Sequence, residues 1–371
     1  MSGRTVSLKA RLLARIARLG PISLADYMAE CLHDPQFGYY ATRDPLGRGG
    51  DFITAPEISQ MFGELIGLWL AQVWMDQGGG AAALVELGPG RGTLMADVMR
   101  ATRGVPGFHD AVTVHLVEAS PVLRAMQTEA LAAYAPRFHD NLADVPEGPI
   151  LLVANEFFDA LPIRQFQMSD AGDWQERQIG ASDGALIWGL APPAPLDVRD
   201  GFAPGMPGMI VETCAPAEAI AAEIGRRVAQ GGAALIVDYG DWHSAGDTFQ
   251  ALAKHAYTDP LDAPGEADLT AHVAFAPIAR AARAASGVVA SGLTRQGMFL
   301  ERLGITARAQ ALARGLDGTA LDTHIAAHRR LTHGDEMGTL FKVLALTPEG
   351  APPPPAIDPA PAPSADPEPA R

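Results

Sequence analysis

A glycine-rich loop at residues 86–92, with the sequence Glu-Leu-Gly-Pro-Gly-Arg-Gly, has the composition of a backbone binding site. Glycine lacks a Cβ and tolerates positive φ, so a ligand can approach the chain closely. The glycines are two residues apart, whereas loops that bind a dinucleotide pyrophosphate follow Gly-x-Gly-x-x-Gly. The acid that starts the loop suits a cationic ligand, and S-adenosylmethionine carries a sulfonium and an ammonium group. The loop therefore predicts an S-adenosylmethionine site formed by Glu86, Gly88, Pro89, Gly90 and Gly92.

A second acid, Glu118, directly follows the apolar run that ends at Val117. In Rossmann-like folds an acid at the end of the second strand binds ribose hydroxyls, because its two oxygens accept both donors. We therefore expect Glu118 to complete the cofactor site. An ordinary tight turn beside an unrelated surface acid, and an NAD site, remain the alternatives.

Polar side chains also follow the third apolar run, which ends at Ala154. Ligands of open α/β sheets bind outside the carboxyl ends of the strands, so Asn155, Glu156 and Asp159 are candidates for contact with a methyl acceptor. A guanidinium acceptor would need carboxylates that orient its donors and accept a proton. The alternative is that Asn155 and Asp159 only cap the following turn.

Two further patches carry candidate residues. Asp51 and Glu57 lie on either side of a predicted helix start, where they could contact the acceptor or stabilise the helix. His272 could be the general base for an oxygen acceptor, although a lone histidine is more often structural. No zinc-binding spacing surrounds His272, and we expect no metal site.

The elements that position these residues follow from hydrophobic patterning. Short apolar runs without alternation, separated by helical stretches, are typical of parallel strands covered on both faces. We therefore predict an α/β fold with a Rossmann-like core, a mostly parallel doubly wound sheet. The runs are Ala83–Leu87, Val112–Val117, Ile150–Ala154 and Ala233–Val237.

The flanking regions differ in pattern from this core at residues 83–347. Residues 1–82 predict a helical N-terminal extension that covers the site. Two insertions are expected, an antiparallel meander with its exit loop at about 163–209 and a mostly helical region at about 241–335. Residues 348–371 are rich in proline and alanine, which predicts a disordered tail.

The composition narrows the possible partners and the compartment. The 371 residues include 43 acidic and 28 basic side chains, and the net charge of −15 argues against binding to nucleic acid or an anionic membrane. Two cysteines are too few for a disulfide framework. No apolar run resembles a membrane helix or a signal peptide, so we expect a cytoplasmic protein.

The N-terminal segment has a second interpretation. Its basic residues precede the first acid, Asp26, as they do in organellar transit peptides. A stripe formed by Leu8, Leu12, Ile16 and Leu19 instead favours a helix that packs on the domain.

Taken together, the motifs resemble the MidA family of methyltransferases. They comprise residues 34–40, 50–59, 155–162 and 268–273 together with the glycine loop. The resemblance runs from about Gly20 to Leu344 and implies a class I S-adenosylmethionine-dependent methyltransferase. One departure is Ala274, where the family pattern usually has an acid.

The resemblance also implies a substrate class. The mitochondrial members are similar to protein arginine methyltransferases that symmetrically dimethylate a subunit of respiratory complex I during assembly, which implies a protein substrate here. The alternatives are a small-molecule O-methyltransferase with His272 as its base, and an assembly chaperone that binds the cofactor without needing catalysis. The sequence makes no prediction of the oligomeric state.

Overall fold

The apolar runs that the sequence identifies as strands lie in one sheet. The computed structural model describes residues 7–42, 54–195, 206–243, 246–253 and 255–360. Its strands are β1 (Ile22–Ser23), β2 (Ala82–Leu87), β3 (Val112–Val117), β4 (Arg137–His139), β5 (Ile150–Asn155), β6 (Arg164–Met168), β7 (Trp174–Ser182), β8 (Ala185–Leu190), β9 (Ile210–Thr213), β10 (Gly232–Asp241), β11 (Gln250–Ala253), β12 (Ala256–Thr258), β13 (Asp268–Thr270), β14 (Val273–Ala274), β15 (Val288–Ala290), β16 (Thr294–Arg295) and β17 (Phe341–Pro348).

Helices lie between several of these strands. They are α1 (Leu8–Leu19), α2 (Leu24–His33), α3 (Tyr39–Thr42), α4 (Ala55–Ile58), α5 (Gln60–Asp76), α6 (Thr93–Ala101), α7 (Phe108–Ala111), α8 (Pro121–Ala130), α9 (Ala215–Val228), α10 (Phe275–Arg283), α11 (Gln296–Arg302), α12 (Ile305–Ala313), α13 (Gly318–Thr332) and α14 (Met337–Leu340). Within the described residues, no helix combines the length and apolar character needed to cross a bilayer.

The main sheet has the strand order β15-β17-β10-β5-β2-β3-β4. The contiguous strands from β10 to β4 are parallel, whereas β17 is antiparallel to β10. Helices α5 and α6 cover one face of the sheet, and α9 and α10 cover the other. Because both faces are covered, β5 and most of β10 are buried and need no polar alternation. The predicted Rossmann-like α/β fold is confirmed.

The N-terminal region is largely helical and also joins the meander through a short strand. Strand β1 pairs antiparallel with β7, in a sheet of order β1-β7-β6-β9 with β8 also on β7. Leu8, Leu12 and Ile16 of α1 are buried in a cluster that includes Ile179 of β7, so this stripe packs on the domain. Leu19, the fourth residue of the predicted stripe, is exposed.

Two flanking predictions need correction. The region 241–335 contains a three-stranded sheet, β12-β11-β13, in addition to its helices. The tail is not disordered between residues 349 and 360, because Trp69 Nε1 donates to the Pro355 carbonyl at 2.9 Å and Ile357 packs against the core. Strands of three residues and a segment held by side chains elsewhere in the chain leave no periodic pattern in the sequence. Residues 361–371 lie outside the described part of the chain.

A buried arginine fixes the connection between β4 and β5. Arg227 of α9 is 1% exposed, and its guanidinium donates to the carbonyls of Leu142, Ala143, Val145 and Pro146 at 2.7–3.3 Å. Its Nε donates to Glu223 at 2.8 Å. One side chain therefore satisfies four carbonyl groups that have no strand partner.

We expect the variant Arg227→Met to lose about 3 kcal/mol of unfolding free energy in urea denaturation, because the buried Val145 carbonyl would lose its donor and the loop its other contacts to the guanidinium. The neighbouring Arg226 pairs with the same Glu223 but is more exposed, so Arg226→Met is a matched control with a much smaller effect. Equal losses in the two variants would show that charge, and not the buried hydrogen bonds, carries the stabilisation.

Candidate active site

A cavity of about 480 Å³ lies at the carboxyl ends of β2, β3 and β5. Parallel strands end at a common edge, so the loops that follow them share one crevice. The volume is in the range of small-molecule sites. Its lining includes the predicted residues Glu57, Glu86, Gly88, Pro89, Gly90, Glu118, Asn155, Glu156 and Asp159.

The glycine loop joins β2 to α6 through backbone conformations that favour glycine. Gly88, Gly90 and Gly92 have φ values of +60°, +56° and +83°. A Cβ on Gly88 would lie 2.9 Å from a ring carbon of Phe157, so a residue with a side chain at this position would clash with that ring. Gly92 does not line the cavity, but it is the N-cap residue of α6.

Glu86 supplies a buried acidic group below the loop. It is 3% exposed, burial raises its pKa well above the usual range, and the Met95 N–H donates to its carboxylate. Its Oε2 has no hydrogen-bond partner among the described residues. A buried oxygen without a donor is costly, and a bound ligand with N–H donors or positive charge would satisfy it.

Glu118 is held beside the same loop. Its Oε1 accepts the Ser120 N–H at 2.7 Å, and its Oε2 lies 3.2 Å from Gln127 Nε2. Gln127 Nε2 also donates to the Gly90 carbonyl at 2.7 Å, so one amide ties the acid to the glycine loop. Burial raises the pKa of Glu118. The fixed carboxylate keeps lone pairs that can accept hydroxyl groups.

Glu156 begins the loop after β5 with an unusual backbone angle. Its φ is +50°, which is uncommon for a residue other than glycine. Its Oε1 accepts the Ala55 N–H at 2.9 Å and lies 3.2 Å from Asn155 Nδ2. Burial raises the pKa of Glu156 to about 7. A carboxyl group with this pKa can both hold a cation and exchange a proton near neutral pH.

Asp159 and Asn155 direct unsatisfied oxygens into this part of the molecule. Both residues are buried, and Asp159 Oδ1 and Asn155 Oδ1 have no hydrogen-bond partner within the described ranges. Burial, followed by the charges of Asp238 and Asp268, raises the pKa of Asp159 well above its usual range. The site therefore presents acceptors that suit a donor-rich ligand.

The sequence did not single out three other residues of this site as contact residues. Asp268 lines the cavity and accepts a hydrogen bond from the Tyr40 hydroxyl at 2.7 Å. Asp238 lies on β10, directly behind the loop that follows β5. Tyr40 and Asp268 stand in motifs of the MidA resemblance, but only the fold shows that residues so far apart in the chain make contact.

The remaining predicted residues have different outcomes. His272 does not line the cavity; its ring packs edge-on against Tyr239, and burial lowers its pKa. These contacts describe a packing role and give no support to His272 as a catalytic base. Glu57 lines the cavity and accepts a hydrogen bond from Thr93 of α6. Asp51 lies outside the described residues. No group of three or more potential metal ligands occurs in the described part of the chain.

Comparisons with known proteins agree with this geometry. A family model described as "Putative S-adenosyl-L-methionine-dependent methyltransferase" matches residues 65–294. The Danio rerio protein named "Protein arginine methyltransferase NDUFAF7, mitochondrial" is 38% identical, over 92% of this chain and 86% of the relative. The Homo sapiens protein of the same name is 37% identical, over 91% of this chain and 82% of the relative.

A solved structure extends the similarity to the fold and the cofactor. It is a Burkholderia thailandensis protein bound to S-adenosylhomocysteine, with a TM-score of 0.81 and 31% sequence identity. The match covers 94% of this chain and 93% of that one. S-Adenosylhomocysteine is S-adenosylmethionine without its transferable methyl group, which confirms the predicted cofactor.

The comparisons overturn the cytoplasmic location expected from the sequence. The relatives from Danio rerio, Drosophila melanogaster and Homo sapiens are all named as mitochondrial proteins. The packing of α1 accounts for its apolar stripe, but a packed helix contains no information about the compartment. The prediction rested on the absence of an apolar run like a membrane helix or signal peptide, which does not distinguish the cytoplasm from the mitochondrion.

The family model covers more than half of the chain, and the relatives align with most of it. The glycine loop, the acids at the strand ends and the motifs at 155–162 and 268–273 lie within the residues that the family model matches. The chain belongs to the MidA family of S-adenosylmethionine-dependent methyltransferases.

Proposed function

We propose that this enzyme methylates arginine side chains of a protein, with symmetric dimethylation of a respiratory complex I subunit during assembly. The observation that carries the proposal is the position of three carboxyl groups, those of half-buried Glu156 and of buried Asp159 and Asp268, on the wall of the cofactor cavity. A guanidinium has five N–H donors in a planar fork, which several carboxylates can orient together. The names of the relatives support the same acceptor.

The cofactor end of the cavity is assigned to the glycine loop and its two acids. The loop backbone at Gly88, Pro89 and Gly90 lines the cavity, and Gly92 supports it from the start of α6. Glu86 would face positive charge or N–H donors, and Glu118 would accept ribose hydroxyls. S-Adenosylmethionine supplies an electrophilic methyl group when it is bound.

The acceptor end lies between the loop after β5 and strand β13. Glu156 in its charged form would hold the guanidinium, while Asp159 and Asn155 offer oxygens that have no donor from the described residues. Phe157 of the same loop packs against the glycine loop and excludes water. Positioning of this kind accounts for a large share of the rate in transfers between two bound groups.

A proton must leave the guanidinium nitrogen when it gains a methyl group. Glu156 has a pKa of about 7, so its carboxylate can accept that proton near neutral pH. Glu57 and the Ala55 N–H fix the segment beside it through contacts to Thr93 and to Glu156 itself. The acid that binds the acceptor is therefore also suited to act as the base.

The two other activities that the sequence leaves open have no support from a specific contact. An O-methyltransferase with His272 as its base would need that ring in the cavity, and it packs against Tyr239 instead. An assembly chaperone would not require the raised pKa of Glu156. Both alternatives are outcomes of the experiments below.

The variant Gly88→Val should weaken the binding of S-adenosylhomocysteine at least about tenfold, because a Cβ would meet Phe157 and the positive φ would be strained. Isothermal titration calorimetry measures the affinity. Gly172→Val is the matched control, since this glycine has a φ of +86° in a meander turn with open space around it. Unchanged binding by Gly88→Val would remove the glycine loop from the cofactor site.

The variant Glu156→Gln should lower kcat/KM for methylation of a protein acceptor by about 100-fold or more, because a neutral amide neither pairs with a guanidinium nor accepts its proton. Binding of S-adenosylhomocysteine should change little. Glu129→Gln, at an exposed acid of α8, is the control for loss of one negative charge. A Glu156→Gln enzyme with the wild-type rate would exclude this residue from catalysis.

The rate should also depend on pH through the same carboxyl group. Glu156 is protonated below its pKa of about 7, so kcat/KM should fall by about tenfold per pH unit below that value and level off above it. The rising limb should be absent in Glu156→Gln. A wild-type profile without a limb near neutral pH would contradict the proposed role.

The nature of the acceptor can be tested by mass spectrometry of methylarginine in proteomes with and without this enzyme. We expect symmetric dimethylarginine on a complex I subunit to disappear when the enzyme is absent. Loss of a methyl ester or ether instead would establish an O-methyltransferase. Assembly rescued by the Glu156→Gln variant would favour a chaperone.

A further inference from the structure

Asp238 accepts hydrogen bonds from the backbone of the loop that follows β5, at the acceptor end of the cavity. It is fully buried on β10, and its Oδ2 accepts three successive N–H groups, those of Phe157 at 3.2 Å, Phe158 at 2.9 Å and Asp159 at 3.3 Å. Its Oδ1 accepts its own neighbour's N–H, that of Tyr239, at 2.9 Å. Both oxygens are therefore used, and Asp238 does not line the cavity.

The same strand fixes the start of this loop. The Glu156 N–H donates to the Val237 carbonyl at 2.9 Å. Strand β10 thus binds every backbone N–H from residue 156 to residue 159. The positive φ of Glu156 costs free energy, and such a conformation persists only where the surrounding structure enforces it. The hydrogen bonds to Val237 and Asp238 supply that enforcement.

The charge of Asp238 also acts on the acids in front of it. Burial and the neighbouring carboxyl groups raise the pKa of both Asp238 and Asp159. Four N–H donors favour the charged form of Asp238 and keep its pKa below that of Asp159. At a given pH the proton of this pair therefore resides more on Asp159 than on Asp238.

We propose that Asp238 is a positioning residue for methyl transfer, whose carboxylate holds the backbone of residues 156–159 so that Glu156 and Asp159 face the acceptor. This inference deepens the proposed function and rests on it. Asp238 acts through these two residues and does not touch the substrate.

The variant Asp238→Asn tests the proposal with a minimal change of shape. An amide has only one acceptor oxygen, so its NH₂ group must face either the loop N–H groups or the Tyr239 N–H. We expect kcat to fall by about 10-fold to 100-fold, because small displacements of positioned groups have effects of this size. The dissociation constant of S-adenosylhomocysteine should stay within about threefold of the wild-type value, since Asp238 is not part of the cofactor wall.

The control for general destabilisation is another buried acid, Glu64, which pairs with Arg100 and Arg308 away from the cavity. Glu64→Gln should lower the unfolding temperature while methylation at a permissive temperature stays at the wild-type rate. The assay measures methylarginine formed on the proteins of a strain that lacks the enzyme. A parallel loss of cofactor binding and rate in Asp238→Asn would mean general disruption and would overturn the proposal.

The pH profile separates positioning from a purely structural role. The charged or titratable groups that surround Asp238 and its loop are Glu156, Asp159, Tyr239, Asp268, Tyr40 and Arg330. If the loop shifts, Glu156 loses the Ala55 N–H and Asn155 donors that stabilise its charged form, which raises its pKa. The rising limb of kcat/KM in Asp238→Asn should therefore move to higher pH. A wild-type rate with an unmoved limb would exclude the proposed role.

Two further variants keep this inference distinct from the proposed function. If the wild-type enzyme forms no methylarginine in this assay, the proposed function itself fails. If Glu156→Gln and Asp159→Asn both form methylarginine at the wild-type rate, the roles proposed for these two carboxyl groups fail. If those two variants are inactive and Asp238→Asn is normal, only the positioning role of Asp238 fails.

Discussion

The structure depends on the burial of acceptor oxygens at one edge of the parallel sheet. Glu86, Asn155 and Asp159 each carry a buried oxygen with no hydrogen-bond donor among the described residues. Each such atom opposes folding by about 1–3 kcal/mol, which the apolar layers on both faces of the sheet must offset. A ligand that supplies the missing donors stabilises the folded state in proportion to its affinity and concentration. These unsatisfied oxygens therefore favour the binding of a cationic ligand that carries several hydrogen-bond donors.

The strand order explains why acids from distant parts of the chain share one cavity. Strand β5 lies between β2 and β10, with Asn155 opposite Val237. The loop after β5 therefore contacts the glycine loop on one side, through Phe157 and Gly88, and Asp238 on the other. The cofactor end and the acceptor end are neighbours because their strands are neighbours. Glu156, with its positive φ, begins the loop that lies between the cofactor end and the acceptor end.

Part of this arrangement was predictable from the sequence because it is local. The glycine loop, the acid after β3 and the acids after β5 each follow directly from a buried strand, and the parallel fold brings strand ends together. Contacts between remote segments left no such pattern. The hydrogen bond from Tyr40 to Asp268 joins α3 to β13, and the three N–H bonds to Asp238 involve the backbone of another strand. Neither the residue types nor their spacing reveals these partners.

The same limit explains the predictions that were wrong. A proline-rich segment has no pattern of its own, yet residues 349–360 are ordered because Trp69 and Arg302 supply polar partners from two helices. For His272, which stays a prediction, only the fold shows that the ring packs against Tyr239 and does not line the cavity. The cytoplasmic prediction was wrong because composition and hydrophobic pattern do not identify the compartment, which the names of the relatives place in the mitochondrion for those proteins.

Helix α3 shows how the N-terminal region contributes to the site. The Tyr40 carbonyl accepts a hydrogen bond from the Ser120 hydroxyl at 2.9 Å, beside Glu118 at the cofactor end. The hydroxyl of the same tyrosine donates to Asp268 at the acceptor end. One residue therefore links both ends of the cavity, and the pairing of β1 with β7 and the packing of α2 hold the chain that leads to it. The N-terminal extension is therefore part of the active-site wall, because its residue Tyr40 lines the cavity beside Asp268.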